Sequence, residues 1–293
     1  MSVFEAPKSR WLVPFDGDFE VHRARTKPPK RAPDTKECKR RLADLKDRLR
    51  DLQRVLYADD RWSLLLVFQA MDAAGKDGTI RHVLGGVNPT GCQVFSFKQP
   101  SKEELDHDFL WRTAKSLPER GRIGVFNRSY YEEVLVVRVH PEYLDGQGLP
   151  HRPKPSRLWK ERYRSIRDHE QHLARNGTAV LKFWLNVSKE EQRQRFLARL
   201  DEPDKNWKFS AGDVKEGGHW DAYMDAYQDA LRATSRPHAP WYAIPADDKP
   251  FMRLQVAEIV VDALESLDLR YPEVREEDRA RFGEMRKLLE DEA

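Results

Sequence analysis

Residues 62–79 read Trp62-Ser63-Leu64-Leu65-Leu66-Val67-Phe68-Gln69-Ala70-Met71-Asp72-Ala73-Ala74-Gly75-Lys76-Asp77-Gly78-Thr79, and this stretch decides the fold class. Its first eight residues form a short, nearly unbroken apolar run. That pattern predicts a strand covered on both faces, as in a parallel sheet. Small residues and a Gly-Lys pair follow, and then a helix over 78–84. Small residues let backbone N–H groups curl around phosphate oxygens, the helix start adds its dipole, and the lysine reaches the outer phosphates. The match to a phosphate-binding loop is imperfect. Ala70 stands where a first glycine belongs, Asp77 where Ser or Thr would hold magnesium, and Thr79 comes two positions late. The competing reading is a strand-to-helix turn with an incidental lysine. Asp72 inside such a cradle would be repelled by phosphate unless a cation stood between them. It is therefore a candidate for a Mg²⁺ site or a base for the acceptor, with a helix cap as the alternative.

Outward from this stretch, strand and helix patterns alternate. Strands are predicted over 92–98, 122–126, 179–187 and 241–244. Helices are predicted from Asp34 through Leu56, over 101–117, 129–139, 156–176, 188–200 and 220–234, and finally, as an amphipathic helix, over 250–267. Capping boxes are expected at Asp34 with Glu37 and at Ser188 with Glu191. The alternation argues for a parallel sheet covered by helices on both sides. Residues 1–33 hold five prolines and read as an extended arm. A domain over 34–270 and a charged tail over 271–293 complete the division.

Two further segments carry chemistry. Ile123-Gly124-Val125-Phe126 is an apolar strand ending in Asn127-Arg128-Ser129-Tyr130-Tyr131-Glu132-Glu133. The carboxyl ends of strands line the ligand crevice of an open α/β sheet. Arg128 there could neutralise a transferring phosphoryl group. Glu132 could hold metal or contact the nucleotide, or it could close a capping box with Ser129. The segment 192–210 is dense in cations, among them Arg195, Arg199, Lys205 and Lys208. It reads as a lid over about 190–220 that closes on phosphates and expels water, or as a solvated arginine face. Ile244 to Lys249 suits a base-contacting loop, and Asp248 suits equally a helix cap.

Composition bounds the class. Lys and Arg number 52 against 49 Asp and Glu, a net charge of +3 that hides an asymmetry. The stretch 22–50 is basic, so it serves a polyanion or is a solvated helix face, while 273–292 is acid-rich. No apolar run approaches ~18 residues, the N-terminus lacks a signal-peptide pattern, and Cys38 and Cys92 are too few for a disulfide framework or zinc site. The expectation is a cytoplasmic protein without membrane contact. No helix-turn-helix, stacking-aromatic or zinc pattern supports nucleic-acid binding.

Together, Met71 through Thr79, Phe126 through Glu132 and Arg199 through Ser210 resemble the polyphosphate kinase 2 family over roughly residues 35–267. The resemblance implies a three-layer α/β/α P-loop kinase-like fold with a parallel central sheet and a helical lid. It implies Mg²⁺-dependent transfer between inorganic polyphosphate and adenine or guanine nucleotides, AMP to ADP and ADP to ATP, by a homo-oligomer. Asp72, Lys76, Arg128, Arg195 and Arg199 would line the reaction site. Ala73, Ala74, Gly75, Lys76, Asp77, Gly78 and Thr79 would cradle phosphate, with Lys205 and Lys208 contributing from the lid. Much of the family reads Asp where this chain has Asn127, and Asn where it has Glu132. The Asn-with-Glu version resembles the third class, whose members accept both AMP and ADP, and it leaves open whether Asp72 alone or Asp72 with Glu132 holds the metal. An ATP-dependent nucleoside monophosphate kinase on the same fold is the alternative.

Overall fold

The computed structural model describes residues 4–151 and 154–291, with Lys208 described by its backbone alone. The first three residues of the N-terminal pattern and the Lys208 side chain expected at the cradle lie outside the described residues. In chain order the helices are α1 (Thr35–Asp59), α2 (Lys76–Val83), α3 (Lys102–Leu105), α4 (Trp111–Ala114), α5 (Val136–Val139), α6 (Pro155–Arg175), α7 (Lys189–Asp201), α8 (Ala211–Glu216), α9 (Trp220–Thr234), α10 (Lys249–Glu265) and α11 (Glu276–Asp291). The strands are β1 (Ser63–Gln69), β2 (Cys92–Ser96), β3 (Ile123–Asn127), β4 (Thr178–Asn186) and β5 (Trp241–Pro245).

All strand pairs are parallel, and the sheet order is β2-β3-β1-β4-β5. β1, β3, β4 and β5 are buried along their whole length, as their apolar runs predict. α10 packs on β4 and β5 from one side and α6 on β4 from the other, giving three layers. The chain leaves β1 first towards β2 and β3, then crosses to β4 and β5. The crevice at the carboxyl ends of β1 and β3 therefore lies at the topological switch point.

The N-terminal arm is built into the fold. Val13 N–H donates to Trp241 O (2.9 Å) and Ala243 N–H to Trp11 O (2.8 Å), so the arm runs antiparallel along β5 and covers that edge. Its Trp11, Val13 and Val21 are buried.

Several local expectations fail for physical reasons. The helix expected over 101–117 breaks into α3 and α4, because the Asp108 carboxylate accepts the Leu110 N–H (2.9 Å) and turns the backbone between them. The helix expected over 129–139 is a 3₁₀ turn, Tyr130–Val134, followed by the single turn of α5. Both capping boxes are half-formed. Asp34 and Ser188 accept the N–H groups of Glu37 and Glu191, but those glutamates pair with Arg40 and Arg195 instead of reaching back. α10 does not present a wide polar face: most of it is buried, with α1 packed alongside, and Asp262 and Glu265 stay exposed. Nor is it the final helix: α11 follows in the acidic tail, with no buried residue. Among the described residues, no helix is long and apolar enough to cross a membrane.

Candidate active site

The loop after β1 turns on backbone conformation. Gly75 sits at φ 107°, a region that strains any residue with a Cβ, and forms the N-cap of α2. Ala73 occupies the left-handed region at φ 60° without being glycine, so the loop carries strain. The N–H groups of the first turn of α2, which lack helical partners, open towards the crevice. Lys76 Nζ folds across the loop to Ala70 O (2.9 Å) and Met71 O (3.5 Å). Burial lowers the Lys76 pKa, and neighbouring Arg128 lowers it further, while Asp72, Glu132 and Asp77 oppose this.

Arg128 stands opposite. Its N–H continues the sheet ladder to Phe68 O (3.0 Å), but its φ of 64° throws the side chain out of the strand. Arg128 Nη2 meets Asp72 Oδ1 at 2.8 Å, and Nη1 lies 3.6 Å from Glu132 Oε2. Glu132, then Asp72, raise the guanidinium pKa against the penalty of burial. Ser129 Oγ accepts the N–H of Tyr131, while the Glu132 N–H goes to Ser129 O (3.1 Å) and Glu132 Oε1 accepts from Gln69 Nε2 (2.9 Å). The capping box at Ser129 is therefore not formed, and Glu132 points to the crevice. A cleft of about 390 Å³ adjoins Arg128 and Glu132, with Leu105, Val136, Val137 and Tyr143 supplying an apolar wall.

The remaining sequence-derived residues are placed as follows. Asn127 Nδ2 donates to Asp77 Oδ1 (2.5 Å) and Ser96 Oγ (3.3 Å), tying the end of β3 to α2. Ala74 is buried, and Thr79 is buried with its hydroxyl on Gly75 O (3.0 Å), facing the backbone and not the mouth of the loop. Gly78 leaves room for Arg253, whose Nη2 would stand 3.4 Å from a Cβ there. Arg195 is not a free lid arginine: it is buried, and it grips Ala73 O, Ala74 O and Ala246 O at 3.1, 2.7 and 2.6 Å. It buckles the phosphate loop to the loop after β5, because a planar guanidinium can satisfy several carbonyls at once. Arg199 bridges to Asp213 at 3.1 Å, and Lys205 pairs with Glu202, so both are engaged within the segment read as a lid. In the expected base-contacting loop, Asp248 caps α10 and Asp247 Oδ1 accepts the Ser188 N–H (2.7 Å).

Sequence reading missed four contributors. Gln69 orients Glu132, and its place at the carboxyl end of β1 was the available signal. Gln192, one turn before Arg195, donates to Asp72 O at 3.0 Å. Tyr227 is buried, and its hydroxyl pKa is raised by burial and then by the charges of Glu132 and Asp72. The fourth is the pair of Lys182 on β4 and Glu170 on α6. Both are 0% exposed and 2.6 Å apart, and the hydroxyls of Tyr130 and Tyr131 each donate to Glu170 (2.9 Å). Burial brings the Lys182 pKa down to about 8 against the pull of Glu170. This dry network anchors the turn that carries Arg128 and Glu132. Lys182→Met would leave Glu170 buried without a counter-charge and cost roughly 3–5 kcal/mol. Thermal melting should then fall by about 10 °C; a drop of only a degree or two would mean the pair does not brace the turn.

The arrangement sets a glycine-capped helix start on one side, a guanidinium between two carboxylates on the other, and a cleft of about 390 Å³ beyond. The family model for polyphosphate kinase 2 matches residues 32–272. An ADP-polyphosphate phosphotransferase of Rhodopseudomonas palustris is 60% identical over 83% of the chain and 84% of its own length. An AMP/ADP-polyphosphate phosphotransferase of Meiothermus ruber is 48% identical over 79% and 83%. The crystal structure of polyphosphate kinase 2 from Arthrobacter aurescens superposes with a TM-score of 0.85 at 38% identity, covering 97% of this chain and 99% of that one.

Proposed function

The chain belongs to the polyphosphate kinase 2 family, and from that premise we propose that it transfers phosphoryl groups reversibly between inorganic polyphosphate and AMP or ADP. The observation that carries this reading is the placement of Arg128 between Asp72 of the phosphate loop and Glu132 of the acceptor cleft. The terminal phosphoryl group of the donor lies over the N-terminus of α2, held by its N–H groups and Lys76. The donor's phosphoanhydride bond breaks, and a new P–O bond forms to an oxygen of the acceptor's phosphate. The rest of the donor leaves one phosphate shorter. An acceptor phosphate is largely ionised near pH 7, with a second pKa of about 6. Its attack therefore needs no general base, and Asp72 and Glu132 are left to handle charge. Arg128 neutralises the equatorial oxygens in transit, and Arg195 holds the loop in shape from behind.

A divalent cation, Mg²⁺ on this reading, fits the donor set. Among the described residues no group of three His, Cys, Asp or Glu could hold a metal by itself. Magnesium typically takes one or two carboxylates plus waters and substrate phosphates, and Asp72 and Glu132 supply two hard oxygens. When bound, it would neutralise charge on the phosphates between donor and acceptor. Two free thiols and a nucleotide-sized cleft suit the cytoplasm.

The test is the donor: purified protein with AMP or ADP, and polyphosphate or ATP. Turnover with polyphosphate is the expected result, and turnover with ATP alone as the donor for AMP would identify a nucleoside monophosphate kinase instead. The acceptor range is the finer question, since the two relatives are named for ADP and for AMP with ADP. Because Glu132 is free of any capping role, Glu132→Asn should lower kcat/KM for AMP several-fold more than for ADP, with much of the loss in kcat. An unchanged ratio of the two acceptors would remove Glu132 from the acceptor site.

A further inference from the structure

The segment read as a lid leaves the body of the molecule at α7 and returns to it at α9. Its outgoing limb is held on the loop after β1, where Gln192 donates to Asp72 O and Arg195 to Ala73 O and Ala74 O. Its return limb is held elsewhere. Glu216, the last residue of α8, lies against His140, 76 residues earlier in the chain and just beyond α5. His140 Nε2 stands 2.9 Å from Glu216 Oε2, and an ionised carboxylate only accepts, so the imidazole donates there. The Tyr223 hydroxyl, near the start of α9, donates to the same oxygen at 2.7 Å. The His219 ring meets that of His140 edge-on, with centroids 4.9 Å apart. Burial opposes ionisation of Glu216, but Tyr223 and then His140 and His219 outweigh it and hold its pKa below the ordinary carboxylate value.

The body side of this contact is the wall of the acceptor cleft. Val136 and Val137, just before His140, line that cleft, and so do Glu142 and Tyr143, just after it. His140 is fixed among them: its backbone N–H donates to Val136 O (2.8 Å), and its Nδ1 lies 3.4 Å from Glu142 Oε1. The lid is thus a strap, with one end on the loop read as the donor's cradle and the other on the wall read as the acceptor's. Arg199 and Asp213, 3.1 Å apart, brace it between. Among the described residues, neither His140 nor Glu216 makes a hydrogen bond or ion pair to Asp72, Arg128 or Glu132. What the pair does for the reaction therefore passes through the lid.

We propose that His140 is a positioning residue for phosphoryl transfer: through Glu216 it ties the return limb of the lid to the acceptor cleft, so that the lid seats over a filled cleft and the phosphoryl group passes to nucleotide and not to water. This rests on the donor and lid readings above and deepens them. Without the tie, a water oxygen takes the phosphoryl group, loses its proton to solvent and leaves as orthophosphate, while the donor leaves one phosphate shorter. The test uses His140→Ala, His140→Gln, Glu216→Ala and the double alanine variant, with polyphosphate as donor and AMP as acceptor. Three quantities are read: nucleotide formed, orthophosphate released, and amide hydrogen exchange over 209–219 with AMP alone and without it. In His140→Ala, kcat for nucleotide formation should fall about tenfold, the scale of one hydrogen bond to a charged group, with KM for polyphosphate unchanged. Orthophosphate released per nucleotide formed should rise. AMP should slow exchange over 209–219 in wild type and leave it unaltered in His140→Ala. Glu216→Ala should match, and the double variant should be no worse than either single one, because the two side chains form one contact. His140→Gln, whose amide still donates to Glu216, should restore most of the rate. An unchanged kcat and release ratio in His140→Ala, additive losses in the double variant, or a fallen kcat with release ratio and exchange both unchanged would each overturn the proposal. Should His140→Ala fold poorly, Glu216→Ala carries the test, because Glu216 is only half-buried. The exchange measurement needs no turnover, so a wild type inactive with polyphosphate, which would sink the donor reading, is distinct from a failure of the tie.

Discussion

Lys76→Ala should abolish transfer, with turnover at least 10²-fold below wild type and the fold intact. The ammonium crosses the phosphate loop, where it lies on Ala70 O and Met71 O. Those carbonyls hold it in place until phosphate oxygens, which gain charge during transfer, offer a stronger partner. An electrostatic contact formed most strongly in the transition state costs roughly 3 kcal/mol or more when removed. Stability should change little, because the side chain is half-buried and its partners are carbonyls on an open loop. Lys76→Arg should not restore the rate, since a planar fork cannot fill the place of a compact point charge. Turnover of Lys76→Ala within threefold of wild type would sink the phosphate-loop assignment.

Asp72→Asn should remove activity and magnesium dependence together. In the structure Asp72 and Glu132 share the Arg128 guanidinium, so neither carboxylate is unbalanced. Losing one carboxylate leaves a guanidinium with a single partner and, on the proposed metal site, one protein oxygen in place of two. The loss of positioned charge at the transferring group is worth about 10²–10³-fold in kcat. The measurement is kcat across a magnesium titration. If the variant retains the wild-type rate and magnesium curve, Asp72 only shapes the loop. Arg128 separates the cases further, because Arg128→Ala leaves two carboxylates facing each other. Its melting temperature should therefore rise with added magnesium more than that of wild type.

Strand type was legible because buried parallel strands need apolar runs, and β1 and β4 have them over most of their length. The loop and helix start after β1 were legible from Gly75-Lys76 placed after such a run, despite three departures from the usual phosphate-loop pattern. Glu132 was ambiguous from sequence, since a glutamate three residues after Ser129 satisfies the capping-box spacing. Only the extended Ser129 backbone and the contact with Gln69 decide where the carboxylate points. Arg195 shows the limit from the other side. Its neighbours Arg193 and Arg199 have the same composition and helix. Arg193 lies on the surface against Glu190, while Arg195 turns inward to the loop carbonyls. That difference depends on the direction α7 takes from β4, which is a property of the assembled sheet. Lys182 and Glu170 were illegible for the same reason. A lysine in a strand that reads as apolar finds its partner on a helix twelve residues earlier only when β4 docks against α6.

The clasp between the N-terminal arm and β5 has a consequence for how the chain leaves the ribosome. Val13 closes on Trp241, 241 − 13 = 228 residues later. At about 5–20 residues per second of synthesis, the arm waits on the order of ten to fifty seconds before its partner strand exists. During that interval Trp11, Val13 and Val21 stand exposed, and β1 lacks the β4 flank that completes its cover. The arm is therefore made well before the strand that seats it, so this protein's window of vulnerability to misassociation lies in translation, before any substrate is met.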